Sequence, residues 1–122
     1  MESSVLVTGG AGFIGSHLVD RLLDAGCRVT VLDNFDPYYD PDQKHENIQG
    51  HRAHSGYQLV EGSVTNPEAL AHCEDCYDSI VHLAAKAGVR PSLEHPQEYQ
   101  HVNLLGTQRL LEKAREWGVQ QF

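Results

Sequence analysis

Four glycines within seven residues restrict the fold of this chain more than any other feature of its sequence. Residues 8–15 satisfy Gly-x-Gly-x-x-Gly from Gly10 and Gly-x-x-Gly-x-x-Gly from Gly9. They directly follow the β-branched run Ser4–Thr8, which is typical of a buried parallel strand. They directly precede residues 13–25, whose apolar side chains recur at steps of three and four, as in an amphipathic helix. A glycine turn between strand and helix indicates the start of a βαβ unit.

Three further apolar runs, at residues 28–32, Tyr57–Glu61 and 79–83, predict three more strands. Helical patterns separate these runs, and such alternation implies parallel strands joined by right-handed crossovers. We therefore expect an α/β fold over residues 1–122, a Rossmann-type three-layer sandwich whose parallel sheet has the strand order 3-2-1-4 and stops before a fifth strand. Residues 119–122 resemble the approach to that strand.

Residue types typical of helix ends predict several boundaries. Gly26 is expected to end the first helix in the left-handed conformation. Asn66 followed by Pro67 is typical of a helix start, and the longest helix is expected over residues 96–117, with Gly118 as its stop. The apolar residues expected to face the core are Ile14, Leu18, Leu22 and Ala25 in the first helix, with Val19 and Leu23 beside them, and Val102, Leu105, Leu110, Ala114 and Trp117 in the last.

Residues 34–56 are expected to form a long polar loop. The segment contains two prolines and several acidic and histidine residues, and Phe35 and Ile48 are almost its only aliphatic or phenyl side chains. A solvated helix around residues 43–51 fits this composition. We expect the segment to contribute little to a hydrophobic core.

The glycine turn is suited to a dinucleotide. A backbone without Cβ permits positive φ angles and lets a pyrophosphate approach the amides, while the helix N-terminus offers unpaired N–H groups. Asp33 lies 18 residues beyond Gly15, at the end of the second strand, where a carboxylate receives ribose hydroxyls. It would repel a 2′-phosphate, and no arginine directly follows it, so NAD is predicted rather than NADP. FAD or another adenine nucleotide is also compatible with these residues.

Composition excludes several other function classes. The formal net charge of −8 opposes nonspecific nucleic-acid binding, which depends on clustered Lys and Arg. No apolar run approaches the roughly 20 residues that span a membrane, and glycines interrupt the first apolar stretch, unlike a signal peptide. We therefore expect a cytoplasmic protein that binds neither nucleic acid nor membranes.

Cysteine and histidine spacing predicts no metal site. Cys73 and Cys76 have CxxC spacing but lack a second pair, and an odd total of three cysteines argues against a disulfide framework. His45, His51 and His54 lie in the polar segment without carboxylates in ligand spacing. The thiols are interpreted as incidental.

Four motifs resemble the extended short-chain dehydrogenases: TGGAGFIGSHL at 8–18, LDN at 32–34, HLAA at 82–85 and NLLGT at 103–107. Within that group the chain is most similar to the NAD-dependent nucleotide-sugar epimerases and dehydratases. The segment AGVRPSLEHP at 87–96 resembles the UDP-glucuronate 4-epimerase branch. The resemblance covers the whole chain, with its motifs in the family's order.

The resemblance implies a role for each matching residue. Those implied to line the pyrophosphate are Gly9, Gly12, Phe13, Ile14 and Gly15. Those implied at the adenosine are Asp33 and Asn34 on the ribose, and Ser63 and Val64 near the adenine, where Ser63 replaces the aspartate usual in the family. Those implied beneath the nicotinamide half are Leu83, Ala84, Ala85 and Lys86, with Asn103 bracing the strand-end loops. Tyr38 and Tyr39 would either pack over the adenosine or cover the sheet.

The family's catalytic Tyr-x-x-x-Lys pair is missing from this sequence, because none of its five tyrosines has lysine four positions later. The resemblance implies that this tyrosine removes a proton from the sugar while a hydride passes to NAD. We therefore expect an NAD-binding N-terminal part of a nucleotide-sugar epimerase or dehydratase, inactive alone and lacking the C-terminal substrate domain. The alternative is a non-catalytic nucleotide-binding or interaction module. The open edge of the fourth strand predicts a homodimer or a swapped assembly.

Overall fold

A computed structural model describes residues 3–73 and 75–122. Its parallel strands are β1 (Ser4–Thr8), β2 (Arg28–Asp33), β3 (Tyr57–Glu61) and β4 (Ser79–His82). They form one sheet in the order β3-β2-β1-β4, so the predicted α/β fold and strand order are confirmed. The helices are α1 (Phe13–Asp24), α2 (Pro41–Asn47), α3 (Gln49–Arg52), α4 (Pro67–His72), α5 (Val89–Glu94), α6 (Pro96–Gln100) and α7 (Gly106–Glu116).

Two hydrophobic clusters cover the two faces of the sheet. Because side chains alternate along a strand, Val5 and Val7 of β1 point to one face and Leu6 to the other. On the first face Val19 belongs to the same cluster, so α1 covers it. On the second face Leu110 of α7 packs in the cluster of Leu6, together with residues of α4. The three-layer arrangement follows from this division.

The parallel register brings the carboxyl ends of the strands to one edge. Thr8 pairs with Leu32 of β2 on one side and with His82 of β4 on the other. Asp33, the last residue of β2, pairs with Glu61 of β3. The residues that follow β1, β2 and β4 therefore emerge side by side, as they do at ligand sites of open α/β sheets.

The core-facing side of α1 differs from the prediction at its two ends. Ile14 is 69% exposed and Ala25, the C-cap, is also exposed, whereas Val19 and Leu23 are buried and Leu18 and Leu22 are partly buried. The sheet ends at Thr8, so the first turn of α1 has no strand beneath it and borders open space instead. Helical periodicity marks the apolar positions but does not show where the supporting sheet ends.

The middle segment contributes more to the hydrophobic core than expected. The helix expected around residues 43–51 is present as the two short helices α2 and α3. Ile48, at their junction, is completely buried and forms a small cluster with Phe35 and Ala11 of the glycine turn. Two large apolar side chains are therefore enough to pack this segment against the glycine turn.

The last helical region begins at Pro96 as predicted but is not one regular helix. A π-helical turn over His101–Leu105 separates α6 from α7, and α5 precedes them. Val102 and Leu105 are only half-buried, whereas Leu110 and Ala114 are buried. The glycines predicted to end the first and last helices adopt the left-handed conformation, with φ of +86° at Gly26 and +70° at Gly118.

The final residues reach the outer edge of β4. Gln121 pairs in parallel with Ser79, and its carbonyl accepts a 2.9 Å hydrogen bond from the Ile80 N–H. This is the expected approach to a fifth strand. None of the helices within residues 3–73 and 75–122 has the length and apolar character needed to cross a membrane.

Candidate cofactor-binding site

A cavity of about 680 Å³ lies at the carboxyl ends of the strands. This size is within the roughly 300–1,000 Å³ of ligand sites. Of the fourteen residues predicted to bind a cofactor, thirteen line the cavity, so the fold gathers residues that are up to 77 positions apart in sequence. They are Gly9, Gly12, Phe13, Ile14, Gly15, Asp33, Asn34, Ser63, Val64, Leu83, Ala84, Ala85 and Lys86. Asn103 does not line the cavity but contacts Lys86.

The glycine turn forms the floor of this cavity, and two of its glycines are required by close approach. Gly9 has a φ of +75°, and a Cβ there would lie 2.9 Å from the Ala84 nitrogen. A Cβ at Gly15 would lie 2.2 Å from the Gly9 carbonyl oxygen. Gly12 caps α1 without a side chain over its end, so the N–H groups of the first turn border the cavity. This cradle fits a pyrophosphate, because the glycines admit close approach and the helix N-terminus favours an anion.

Asp33 has a structural role that the sequence did not indicate. Its carboxylate is buried and accepts hydrogen bonds from the Ala11 N–H, at 3.0 Å, and from the Phe35 N–H, at 2.8 Å. It thereby joins the glycine turn to the end of β2. A carboxylate offers about four lone-pair sites, so Asp33 can still accept hydroxyls from the cavity it lines.

The segment after β2 contributes cavity residues that sequence reasoning missed. These are Asp36, Asp40, Gln43, Lys44 and Asn47. The Asp36 carboxylate pairs with the Lys86 ammonium at 3.0 Å, and its backbone carbonyl accepts from the Lys44 ammonium at 3.0 Å. The segment therefore connects across to the residues that follow β4. The charged and aromatic residues at 36–44 indicated that this segment could contact a ligand. The path of a long polar loop, however, cannot be predicted from its sequence.

The Asp36–Lys86 pair is electrostatically favourable. Partial burial alone would raise the pKa of Asp36, but the Tyr38 N–H and the Lys86 ammonium outweigh it and hold that pKa below its usual value. The hydrogen bond to Asp36 in turn raises the pKa of Lys86. Both side chains are charged at neutral pH. Glu98 also approaches the ammonium, at 3.6 Å.

The residues that follow β4 are fixed through their backbone. The Leu83 and Ala84 N–H groups each donate to the Thr8 hydroxyl at 3.1 Å. Farther along, the Lys86 N–H donates to Asn103 Oδ1 at 2.7 Å, and Asn103 Nδ2 donates to the Lys86 carbonyl at 3.2 Å. The π-helical turn carries Asn103 to this position.

Ser63, which stands where the resemblance implies an aspartate, lines the cavity. Its hydroxyl hydrogen-bonds with the Thr65 hydroxyl at 2.8 Å and accepts from the Thr65 N–H at 3.2 Å. Tyr39 lines the cavity, whereas the Tyr38 ring lies against Gly88, where a Cβ would come within 2.6 Å of it. Of the two tyrosines, Tyr39 therefore lies where it can contact a ligand in the cavity.

The histidines and cysteines considered as metal ligands in the sequence lie in separate places in the fold. His51 is buried against Asp20 of α1, while His45 stacks on Phe35 with ring centroids 4.4 Å apart. Burial raises the pKa of the Cys73 thiol to about 11, which leaves it protonated at neutral pH. Across residues 3–73 and 75–122, no three His, Cys, Asp or Glu side chains are grouped as a metal site.

The sequence over residues 5–122 matches the NAD dependent epimerase/dehydratase family. UDP-glucuronate 4-epimerase 1 of Arabidopsis thaliana is 44% identical over 111 residues, which cover 89% of this chain and 26% of that protein. This match agrees with the resemblance seen in the motifs.

Two solved structures share the fold. The UDP-glucuronic acid 4-epimerase of Bacillus cereus, crystallised with UDP-glucuronic acid and NAD, superposes with a TM-score of 0.85 at 35% identity, over 97% of this chain and 37% of that one. The UDP-glucose 4-epimerase of Thermus thermophilus in complex with NAD gives a TM-score of 0.77 at 41% identity, over 95% of this chain and 35% of that one. The chain thus spans roughly a quarter to two-fifths of the proteins it matches. The predicted family, Rossmann fold and cofactor are confirmed at the level of the family.

Proposed function

This chain belongs to the NAD-dependent epimerase/dehydratase family, and on that premise we propose that it binds NAD in the cavity above the glycine turn. One observation carries the proposal: the open N-terminus of α1, the Asp33 carboxylate and the segment after β4 all border one cavity. An anion-binding helix end between a ribose acceptor and an apolar strand end is the arrangement that a dinucleotide requires.

Each part of the cofactor has a proposed place. The pyrophosphate lies on the glycine turn and the start of α1, at Gly9, Gly12, Phe13, Ile14 and Gly15. The adenosine lies on Asp33, Asn34, Ser63 and Val64. The nicotinamide half lies on the residues after β4, which are Leu83, Ala84, Ala85 and Lys86. Asn103 supports the last group from outside the cavity, through its two hydrogen bonds to Lys86.

Two carboxylates at the adenosine end favour NAD over NADP. Asp33 and Asp36 both line the cavity, and the lowered pKa of Asp36 keeps it ionised at neutral pH. A 2′-phosphate near them would meet like charge. Lys86, which pairs with the Asp36 carboxylate, and Lys44, which donates to the Asp36 carbonyl, reduce the contribution of Asp36, so Asp33 carries most of this preference.

We further propose that residues 1–122 are the cofactor-binding half of a nucleotide-sugar 4-epimerase whose substrate is UDP-glucuronate. The names of the relatives motivate this substrate. NAD, when bound, would supply the acceptor and then the donor of a hydride at the sugar carbon. This chain's residues would hold and orient the cofactor. Because none of its tyrosines has a lysine four positions later, proton transfer would depend on residues outside this chain.

Calorimetric titration with NAD tests the binding site, and Gly12→Ala is the informative variant. Gly12 has a φ of −73°, and a Cβ there meets only the Gly9 oxygen, at 3.4 Å, so the fold accommodates alanine. The added methyl borders the cavity at the pyrophosphate position, and we expect NAD affinity to fall by about tenfold or more, roughly 1.4 kcal/mol.

Gly50→Ala is the matched control. Gly50 lies in α3, and a Cβ there meets no atom within 4 Å. NAD should bind this variant as it binds the unmodified chain. Equal affinity of all three proteins for NAD would show that the cofactor does not lie on the glycine turn, and absence of binding to the unmodified chain would overturn the proposal.

We also propose that the chain is cytoplasmic, does not bind nucleic acid, and self-associates through the outer edge of β4. The net charge of −8 supports the second point. Gln121 pairs with only the first part of that edge, so backbone groups near His82 remain available to another strand. Light scattering at micromolar concentration tests the association, and a monomer would contradict it.

A further inference from the structure

A chain of side-chain hydrogen bonds lies behind the cavity and connects β1, β4 and α7. The Thr8 hydroxyl lies 2.6 Å from Nδ1 of His82. Nε2 of the same ring lies 3.0 Å from the Thr107 hydroxyl, which donates to the Asn103 carbonyl at 2.7 Å. His82 and Thr107 do not line the cavity.

Counting hydrogens along this chain assigns the tautomer of His82. The single hydroxyl hydrogen of Thr107 is used on the Asn103 carbonyl, so Thr107 must accept from Nε2–H. Burial lowers the pKa of His82, so the ring is neutral at pH 7 and its Nδ1 carries no hydrogen. Nδ1 therefore accepts from the Thr8 hydroxyl.

The Thr8 hydroxyl is then fully used. It donates to His82 and accepts from the N–H groups of Leu83 and Ala84, so its hydrogen and both lone pairs are committed. If His82 ceased to accept, the hydroxyl hydrogen would lose its partner and the hydroxyl would no longer be held in this orientation. The Leu83 N–H also donates to the Thr8 carbonyl at 3.1 Å, so the position of the Ala84 N–H depends more strongly on the hydroxyl and on the ring behind it.

We propose that His82, as its Nε2–H tautomer, is a positioning residue that holds the backbone of Leu83 and Ala84 against the glycine turn and so shapes the nicotinamide half of the cavity. The contact is close, because a Cβ on Gly9 would lie 2.9 Å from the Ala84 nitrogen. The inference rests on the proposed NAD site.

The effect of His82 is confined to one half of the site. The adenosine end is held separately, by the hydrogen bonds of Asp33 to Ala11 and Phe35. ADP carries the adenosine and the pyrophosphate but lacks the nicotinamide half. A variant at His82 should therefore change the affinity for NAD and leave that for ADP unchanged.

Calorimetry with NAD and ADP makes this comparison. For His82→Leu we expect about tenfold weaker NAD binding, the loss of roughly one hydrogen bond, with ADP affinity within about twofold of the unmodified chain. His82→Asn should recover most NAD affinity, because its Oδ1 can accept from Thr8 in place of Nδ1. His72→Leu, at an exposed position on α4, is the matched control and should bind both ligands normally.

Two results would overturn the inference: equal losses of NAD and ADP affinity in His82→Leu, or no loss of either. Failure of the unmodified chain to bind NAD would instead refute the proposed function. Nitrogen-15 NMR of the His82 imidazole in the unmodified chain measures the tautomer directly. This test needs neither NAD binding nor a folded His82→Leu variant. We expect a protonated Nε2 and an unprotonated Nδ1 at pH 7, and the reverse assignment would contradict the proposal.

Discussion

The carboxylate of Asp33 accepts a 3.0 Å hydrogen bond from the N–H of Ala11, 22 residues earlier in the chain. The last residue of β2 thus holds the turn that follows β1. Its second hydrogen bond, from the Phe35 N–H, supports a φ of +54° at that residue, which is unusual for a side chain of this size. One side chain therefore stabilises the cradle and offers the acceptor for a ribose.

Replacing this carboxylate should affect stability and specificity together. In Asp33→Asn, an amide NH2 faces one of the two backbone donors, which leaves that buried group unsatisfied and costs about 1–3 kcal/mol. The preference for NAD over NADP should also decrease, because the negative charge at the proposed ribose position is removed. Urea unfolding and calorimetry measure the two effects. Asp24→Asn, exposed at the end of α1, should change neither, and an unaltered Asp33→Asn would contradict both roles.

The closest packing in the turn should be intolerant of a methyl group. A Cβ at Gly15 would lie 2.2 Å from the Gly9 backbone oxygen, and backbone cannot move aside as a flexible side chain can. We expect Gly15→Ala to lower the free energy of unfolding by about 2 kcal/mol or more. Gly50→Ala should instead be neutral or stabilise by up to about 1 kcal/mol, because it lies in a helix with open space around it. Chemical denaturation that ranks the two variants equally would contradict this account.

Much of the fold could be predicted because its signals are local. Short β-branched runs, glycine stops and the strand-to-helix turn specify β1, α1 and β2 within their own residues. Parallel pairing then follows from the alternation of strands and helices. Among the thirteen cavity residues, the glycines and Asp33 came from the same local signals, and the others came from the family resemblance.

The remainder depends on contacts that local pattern does not specify. Asp36 reaches Lys86 across 50 positions, and Ile48 is buried only because the glycine turn lies beneath it. Ile14 has the spacing of a core residue but is exposed, because the sheet ends before it. The role of His82 depends on two hydroxyls from distant elements, and the sequence gives no sign of either.

The Asp36–Lys86 ion pair should contribute modestly to stability. Both side chains are about one-fifth exposed, so solvent screens the interaction. A double-mutant cycle of Asp36→Asn and Lys86→Gln should give a coupling energy of about 0.5–1 kcal/mol that decreases with added salt. Since the pKa of Asp36 is lowered in the folded chain, this contribution is present above its ordinary value of 3.8 and is lost as the pH falls through the folded value. A coupling energy of zero at low salt would show that the contact is incidental.

Stability should also decrease as the pH falls through the range in which histidine titrates. Burial lowers the pKa of His82 below 6.5 in the folded chain, so the unfolded chain takes up the proton first. The folded state therefore loses stability as the pH falls below about 6.5 toward the folded pKa, and the contribution of His82 is complete above that range. The ring's contacts with Thr8, Thr107 and Phe122 are with uncharged groups. Urea unfolding of the unmodified chain and His82→Asn across this range isolates the effect from the other histidines. The variant should show a shallower pH dependence, and identical slopes would mean that His82 titrates alike in both states.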